Sequence, residues 1–197
     1  MLTFDAAAHE YHWNGRLVPN VTRVLQPLTD LSRIPADALE IARQKGVAVH
    51  RMVDLDFLGD LDEDRLPEWM RPVLDTWRKF VAESGFRTVV SEHRVYHSTY
   101  GYAGTLDRYG ELVHAGAFAF IDVKRSFLAG NVIGMQLIAY QRAYIDQEKD
   151  RNAKKALRYA LRLNENAPYR LEPYTDEDQF QDFLACLTYL RVRGKYQ

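Results

Sequence analysis

The stretch AFAFIDVKRSF, residues 117 to 127, is apolar enough for a buried strand, yet it carries Asp122 and Lys124 two residues apart. Side chains at i and i+2 leave a strand on one face, so an acid and an amine point into the same place. A second carboxylate, Asp107, stands in YAGTLDRYG, near the end of the strand-like run just before it. Facing side chains of adjacent antiparallel strands lie about 5 Å apart, which would bring Asp107 up to Asp122. Two carboxylates converging in an apolar sheet repel each other and are costly to desolvate. A divalent cation relieves both penalties, and Mg²⁺ commonly takes one or two carboxylates plus water and substrate phosphate. Lys124 would then contact a phosphate, or orient or deprotonate the attacking water. D-x-K is a frequent tripeptide and on most strands is a solvated face; the apolar flank AFAFI sets this one apart.

These residues need a scaffold, and the rest of the chain supplies its signals. HEYHWNGRLVPNVTRVL, residues 9 to 25, alternates around an Asn-Gly pair, which predicts a hairpin. Asn20 or Thr22 would cap a short helix after it. Residues 31 to 36 read as a loop. Apolar spacing of three and four predicts a helix over 36–58. Gly46 interrupts that helix at about 1 kcal/mol relative to alanine, so either the helix restarts there or a backbone approaches closely. Pro67 opens a helix over 68–84 that Gly85 stops. Three strand-like runs follow, FRTVVSEHRVYH, GYAGTLDRYGEL and GAFAFIDVKRS, separated by turns that suit an antiparallel meander. Residues 131–148 return to helical period, AKKALRYALRLN and YRLEPYT read as strands, and 176–191 as a closing helix. The expected fold is one mixed α/β domain over 1–197, with residues 1–35 as an N-terminal hairpin or extension and 36–191 as the core.

Composition narrows the function only coarsely. Of 197 residues, 47% are apolar and 27% charged, which supports a real core and argues against global disorder. The net charge of −1 gives no bulk attraction for nucleic acid, though local patches can hold DNA on a neutral protein. The single cysteine, Cys186, lies in the apolar run FLACLTYL and is expected in the core. One cysteine excludes an intramolecular disulfide and an all-cysteine zinc or iron–sulfur site within one chain. The N-terminal stretch lacks a secretory pattern and no run is long enough to span a membrane, so a cytoplasmic protein without membrane partners is expected.

KGVAVHRMVD, GYAGTLDRYG, FIDVKRS and QLIAYQRAY, in that order over residues 45–144, resemble the RecB-like branch of the PD-(D/E)XK nuclease superfamily. YHWNGRLVPNVTRVL also resembles the start of small phage-type members. The resemblance implies a restriction-endonuclease-like α/β core with a central mixed β-sheet flanked by helices. It implies a Mg²⁺- or Mn²⁺-dependent deoxyribonuclease, an exonuclease acting on single-stranded DNA or DNA ends in phage or bacterial recombination and repair. The setting would be the cytoplasm of a bacterial host cell, with a single-strand-binding or annealing protein as partner. Carried over residue by residue, His50, Asp107, Asp122 and the backbone carbonyl of Val123 would hold one or two metal ions, and Lys124 would be the catalytic lysine. Gln136 and Tyr140 match a Q-x-x-x-Y motif that contacts DNA phosphate or supports the lysine. Glu92 sits where many members carry an acid on the first strand, and the resemblance gives it a supporting place behind the metal ligands. The proline of the superfamily's name is absent, and the iron–sulfur cluster of some members is excluded by the cysteine count. A structure-specific endonuclease on the same core, or a non-catalytic nucleic-acid-binding protein, would carry the same motifs.

Aromatic residues among basic ones suit stacking on single-stranded bases. Trp69, Trp77, Phe57 and Phe80 fall among Arg65, Arg71, Arg78 and Lys79. Trp77 and Phe80, three apart, are expected in the core, and Trp69 is expected to be exposed and to support DNA binding.

Overall fold

The computed structural model describes residues 1–29, 31–32, 34–125 and 130–194. A central sheet of five strands runs in the order β4 (Phe86–His97), β5 (Tyr102–Leu112), β6 (Ala117–Lys124), β7 (Leu157–Arg162) and β8 (Arg170–Pro173). The first three form the antiparallel meander that the glycine spacing predicts. Helix α4 (Gly130–Glu148) then returns the chain so that β7 runs parallel to β6, and β8 closes the edge antiparallel. The result is a mixed α/β architecture whose central sheet is flanked by helices, as expected.

Each face of the sheet carries its own apolar layer. Helix α4 is buried nearly all round from Val132 to Tyr144 and packs with α5 (Gln179–Val192) and α1 (Val21–Leu25) on one face. Helices α2 (Ala36–Leu58) and α3 (Arg71–Ser84) cover the other, where Val73, Leu74, Trp77 and Phe80 present one helical face to Ile121, Val123 and Leu161. Trp77 and Phe80 are core residues, as their spacing indicates.

The N-terminal segment forms a second, three-stranded sheet of β1 (Leu2–Asp5), β2 (Glu10–Trp13) and β3 (Arg16–Val18). Asn14 and Gly15 turn the predicted hairpin with φ of 50° and 79°, the pattern of a type I′ turn. Strand β1 escaped the sequence reading because it is four residues long and pairs only with β2. The Asn20 side chain accepts the Arg23 N–H at 2.8 Å and caps α1, whose Val21, Val24 and Leu25 enter the α4 core.

Other boundaries shift by a turn or less. Residues 68–70 form a 3₁₀ turn before α3 begins, and α5 begins at Gln179. Helix α2 is continuous through Gly46, with open space above it. Neither restart nor close backbone contact occurs there among the described residues, because the first half of α2 is largely solvated: Ile41 and Val47 are exposed and burial begins at Val49. Strand β6 ends at Lys124; Ser126 and Phe127, the end of the strand-like run, and Arg33 in the predicted loop lie outside the described residues. Among the described residues no helix is long and apolar enough to cross a membrane.

Candidate metal-dependent active site

Asp122 and Lys124 do leave β6 on one face, and they meet: Lys124 Nζ lies 2.7 Å from Asp122 Oδ2. Asp122 is 2% exposed, on the α4 side of the sheet. Among the described residues the ammonium of Lys124 is the group that faces its otherwise unpartnered oxygens. Burial pushes the Asp122 carboxyl above the usual range, with the Lys124 charge opposing. Burial also works against the Lys124 charge, but Asp122 and Asp107 outweigh it and hold the amine protonated.

Asp107 reaches the site by another route than simple strand pairing. The β5–β6 register runs from Leu112↔Ala117 to Arg108↔Ile121 and stops one residue short of Asp107. Leu106 and Tyr109, three apart, both enter the α4 core, while Arg108 stacks against Trp77 and Phe57 on the opposite face. Strict alternation is therefore broken across Asp107 and Arg108. Freed from the ladder, the Asp107 carboxylate accepts the Val123 N–H at 2.8 Å. The observed link of Val123 to the site is thus its N–H.

His50 comes from the other side, on α2. Its Nδ1 lies 3.4 Å from Asp107 Oδ2 and 3.8 Å from Glu92 Oε1. The Asp107 carboxylate raises the imidazole pKa to about 9, against the opposing effect of burial. His50, Glu92 and Asp107 each offer a ligand atom, all within 4.8 Å of one another. Glu92 therefore stands closer to the centre of the cluster than the supporting place expected for it. It does so with φ of +45°, a left-handed backbone rarely adopted by a non-glycine residue within a strand. Behind it, the Ser91 hydroxyl donates to Asp54 Oδ1 at 2.8 Å. Asp54 is one helical turn beyond His50, so α2 grips β4 next to the strained residue.

The sheet and helices enclose a cleft of about 670 Å³ lined by His50, Glu92, Asp107, Lys124, Gln136 and Tyr140. Gln136 Nε2 donates to the Tyr140 hydroxyl at 3.4 Å. The two residues share a face of α4 and reach the cleft together. The far wall comes from the N-terminal sheet, where the buried Tyr11 hydroxyl hydrogen-bonds Thr105 Oγ1 at 2.7 Å. Tyr11 carried no signal in the sequence, because only the docking of the small sheet brings it beside Thr105 of the GYAGTLDRYG motif. Asp54 did carry one, in its four-residue spacing from His50.

Trp69 does not take the exposed position expected of it. It is partly buried against the α2–α3 layer, with Lys45 4.8 Å and Arg125 5.5 Å from its ring. The basic residues near it are also engaged: Arg78 pairs with Asp56 and Glu63 at 2.7 and 2.8 Å, and Arg65 with Asp62 at 3.1 Å. On the α2–α3 surface these cations are thus held by neighbouring acids.

The donor set fits a divalent cation. Two carboxylates and an imidazole converge to within 4.8 Å, with the buried Asp122 carboxylate on the neighbouring strand, and a metal would take the place that the His50 proton holds between the acids. Oxygen and imidazole donors together suit Mn²⁺ as well as Mg²⁺.

No family model matches the chain, and no curated protein matches it. Among solved structures, the crystal structure of LHK-Exo in complex with dAMP aligns over 89% of this chain and 87% of that one, at 12% identity and a TM-score of 0.41. A likeness of that order is too slight to carry anything over to this chain.

Proposed function

We propose that this protein is a divalent-metal-dependent nuclease that hydrolyses DNA phosphodiester bonds, working from strand ends. The observation that carries the reading is the convergence of His50, Glu92 and Asp107 to within 4.8 Å, in one cleft with Lys124, whose ammonium lies 2.7 Å from the buried Asp122. Separate elements, α2, β4, β5 and β6, each give up a polar side chain to one point. Burying that much charge is costly unless a ligand repays it. The order of the four motifs and their resemblance to RecB-like nucleases support the same reading. They extend it to exonuclease action in phage or bacterial recombination and repair, with a single-strand-binding or annealing protein as partner.

His50, Glu92, Asp107 and Asp122 would hold the cation. A divalent ion held there would supply an activated water and offset the charge gathering on a phosphate. The chain's own residues do the rest. Asp107 is held by the Val123 N–H and Glu92 by its strained backbone, so the acids are fixed before substrate arrives. Lys124 remains an ammonium in the metal-free protein, so its role is to donate hydrogen bonds to water or phosphate oxygen. Gln136 and Tyr140 line the wall on which the strand rests. Hydrolysis then breaks one backbone P–O bond and leaves a hydroxyl and a phosphomonoester.

End-labelled linear DNA and closed circular DNA, incubated with Mn²⁺, Mg²⁺ or EDTA, test the reading. Linear DNA is expected to be degraded only with metal, while the circle stays intact, and Lys124→Ala should lose at least ~10² in rate, about 2.7 kcal/mol. Equal activity of wild type and variant would remove the site from the chemistry, and cutting of the circle would make the enzyme an endonuclease.

A further inference from the structure

Beyond the cleft, the sheet lines up positive charge where strand pairing disfavours it. Lys124 on β6 is in register with Arg162 on β7, and Arg162 with Arg170 on β8. Three cations thus stand in one row across three neighbouring strands. Like charges directly opposite each other destabilise a sheet. Next to the row, Arg125 follows Lys124, and a cavity of about 220 Å³ is lined by Arg125, Arg162, Asn164, Ala167, Pro168 and Arg170.

The local carboxylates do not balance this charge. Asp122 serves Lys124 at 2.7 Å and Glu172 serves Arg162 at 2.7 Å. Arg125 shares Glu165 with Lys45, at 3.1 and 3.6 Å. Arg170 is exposed and stands in the field of Glu172, which is already bound to Arg162. Among the described residues these five cations face Asp122, Asp107, Glu172 and Glu165, of which Asp107 is shared with His50, on a protein whose net charge is −1. The excess lies at the carboxyl ends of β6 and β7, the parallel pair of the sheet, and that edge is where open α/β sheets bind ligands. Arginine forks match phosphate oxygens.

We propose that Arg125, Arg162 and Arg170, with Asn164, bind the backbone phosphates of the nucleic-acid strand whose neighbouring phosphate lies at Lys124. The row covers about 10 Å of sheet from β6 to β8, so the strand leaves the cleft over the β7–β8 edge. The inference rests on the nuclease reading for its direction, but its measurement does not.

Binding of a fluorescent single-stranded oligonucleotide to the full chain, by anisotropy with Ca²⁺ in place of Mn²⁺, tests it over roughly 50 to 200 mM NaCl. Arg170→Ala and Arg125→Ala should each make the plot of log Kd against log salt shallower by about 0.7, the slope of one phosphate contact on a single strand. Arg170→Lys should keep the wild-type slope. Arg87→Ala, exposed on β4 at the opposite edge of the sheet, should keep it too. Wild-type slopes in both Arg170→Ala and Arg125→Ala would overturn the row as a strand site. Metal-dependent cleavage with unchanged slopes removes this inference alone. Shallower slopes without any cleavage uphold it and remove the nuclease reading. A wild-type chain that neither binds nor cleaves overturns both.

Discussion

Gly104 lies directly beneath Tyr140: a Cβ at residue 104 would stand 2.5 Å from Tyr140 Cε1. The contact joins two of the motifs, because Gly104 opens G-T-x-D on β5 and Tyr140 ends Q-x-x-x-Y on α4. Only a bare backbone lets the ring lie flat between the cleft and the sheet, 5% exposed. Gly104→Ala should therefore overpack the site and destabilise the protein by about 1–3 kcal/mol. The loss should shrink in Gly104→Ala/Tyr140→Ala, where the new methyl meets no ring, relative to the sum of the single variants. Denaturant unfolding of the four proteins measures the coupling. Strict additivity would show that the two residues do not touch in solution.

Glu92 carries its strain next to the cluster, and the strain makes stability and metal binding separable. A non-glycine residue at φ +45° costs on the order of 1 kcal/mol, whereas asparagine tolerates that conformation better. Glu92→Asn should leave the metal-free protein as stable as wild type or more so, by up to ~1 kcal/mol. It should also reduce the rise in Tm that Mn²⁺ produces, since one carboxylate of the cluster is gone. Thermal unfolding in EDTA and in Mn²⁺ gives both quantities. A variant less stable in EDTA, with the full Mn²⁺ response, would make Glu92 a structural residue.

How much of this was written in the sequence depends on the range of the interaction. The meander, the crossing helix and the Asp122–Lys124 pair follow from local periodicity, since i and i+2 on a strand share a face whatever surrounds them. The Asn14–Gly15 turn was legible for the same reason. The place of Asp107 was half legible: strand pairing put it near Asp122, but not the break in alternation that turns its carboxylate to the Val123 N–H. Glu92 was under-read because a glutamate at positive φ violates the local rule that a sequence reader applies. Trp69 was misread because the cations on its ring, Lys45 and Arg125, are 24 and 56 residues away in the chain. The wall from Tyr11 depends on two sheets docking, and no short-range pattern encodes that.

His50 sets the sign of the pH dependence. Beside the Asp107 carboxylate its imidazole keeps its proton up to about 9 in the metal-free fold, well above the ordinary value near 6.5. That charge stabilises the metal-free protein fully below pH ~6.5, and its contribution is lost as pH rises towards about 9. Metal binding runs the other way, because a histidine ligand must be neutral. Between pH 6.5 and 8.5 the affinity for Mn²⁺ should therefore rise, up to about tenfold per unit, while stability in EDTA falls. Calorimetric titration with Mn²⁺ in two buffers of different ionisation enthalpy should show close to one proton released at pH 7.5, and His50→Gln should release less. Imidazole also favours Mn²⁺ over Mg²⁺, so Mn²⁺ should support cleavage at least as well. Activity confined to Mg²⁺, together with an unchanged proton count in His50→Gln, would take His50 out of the ligand set and leave its ion pair with Asp107 as its whole role.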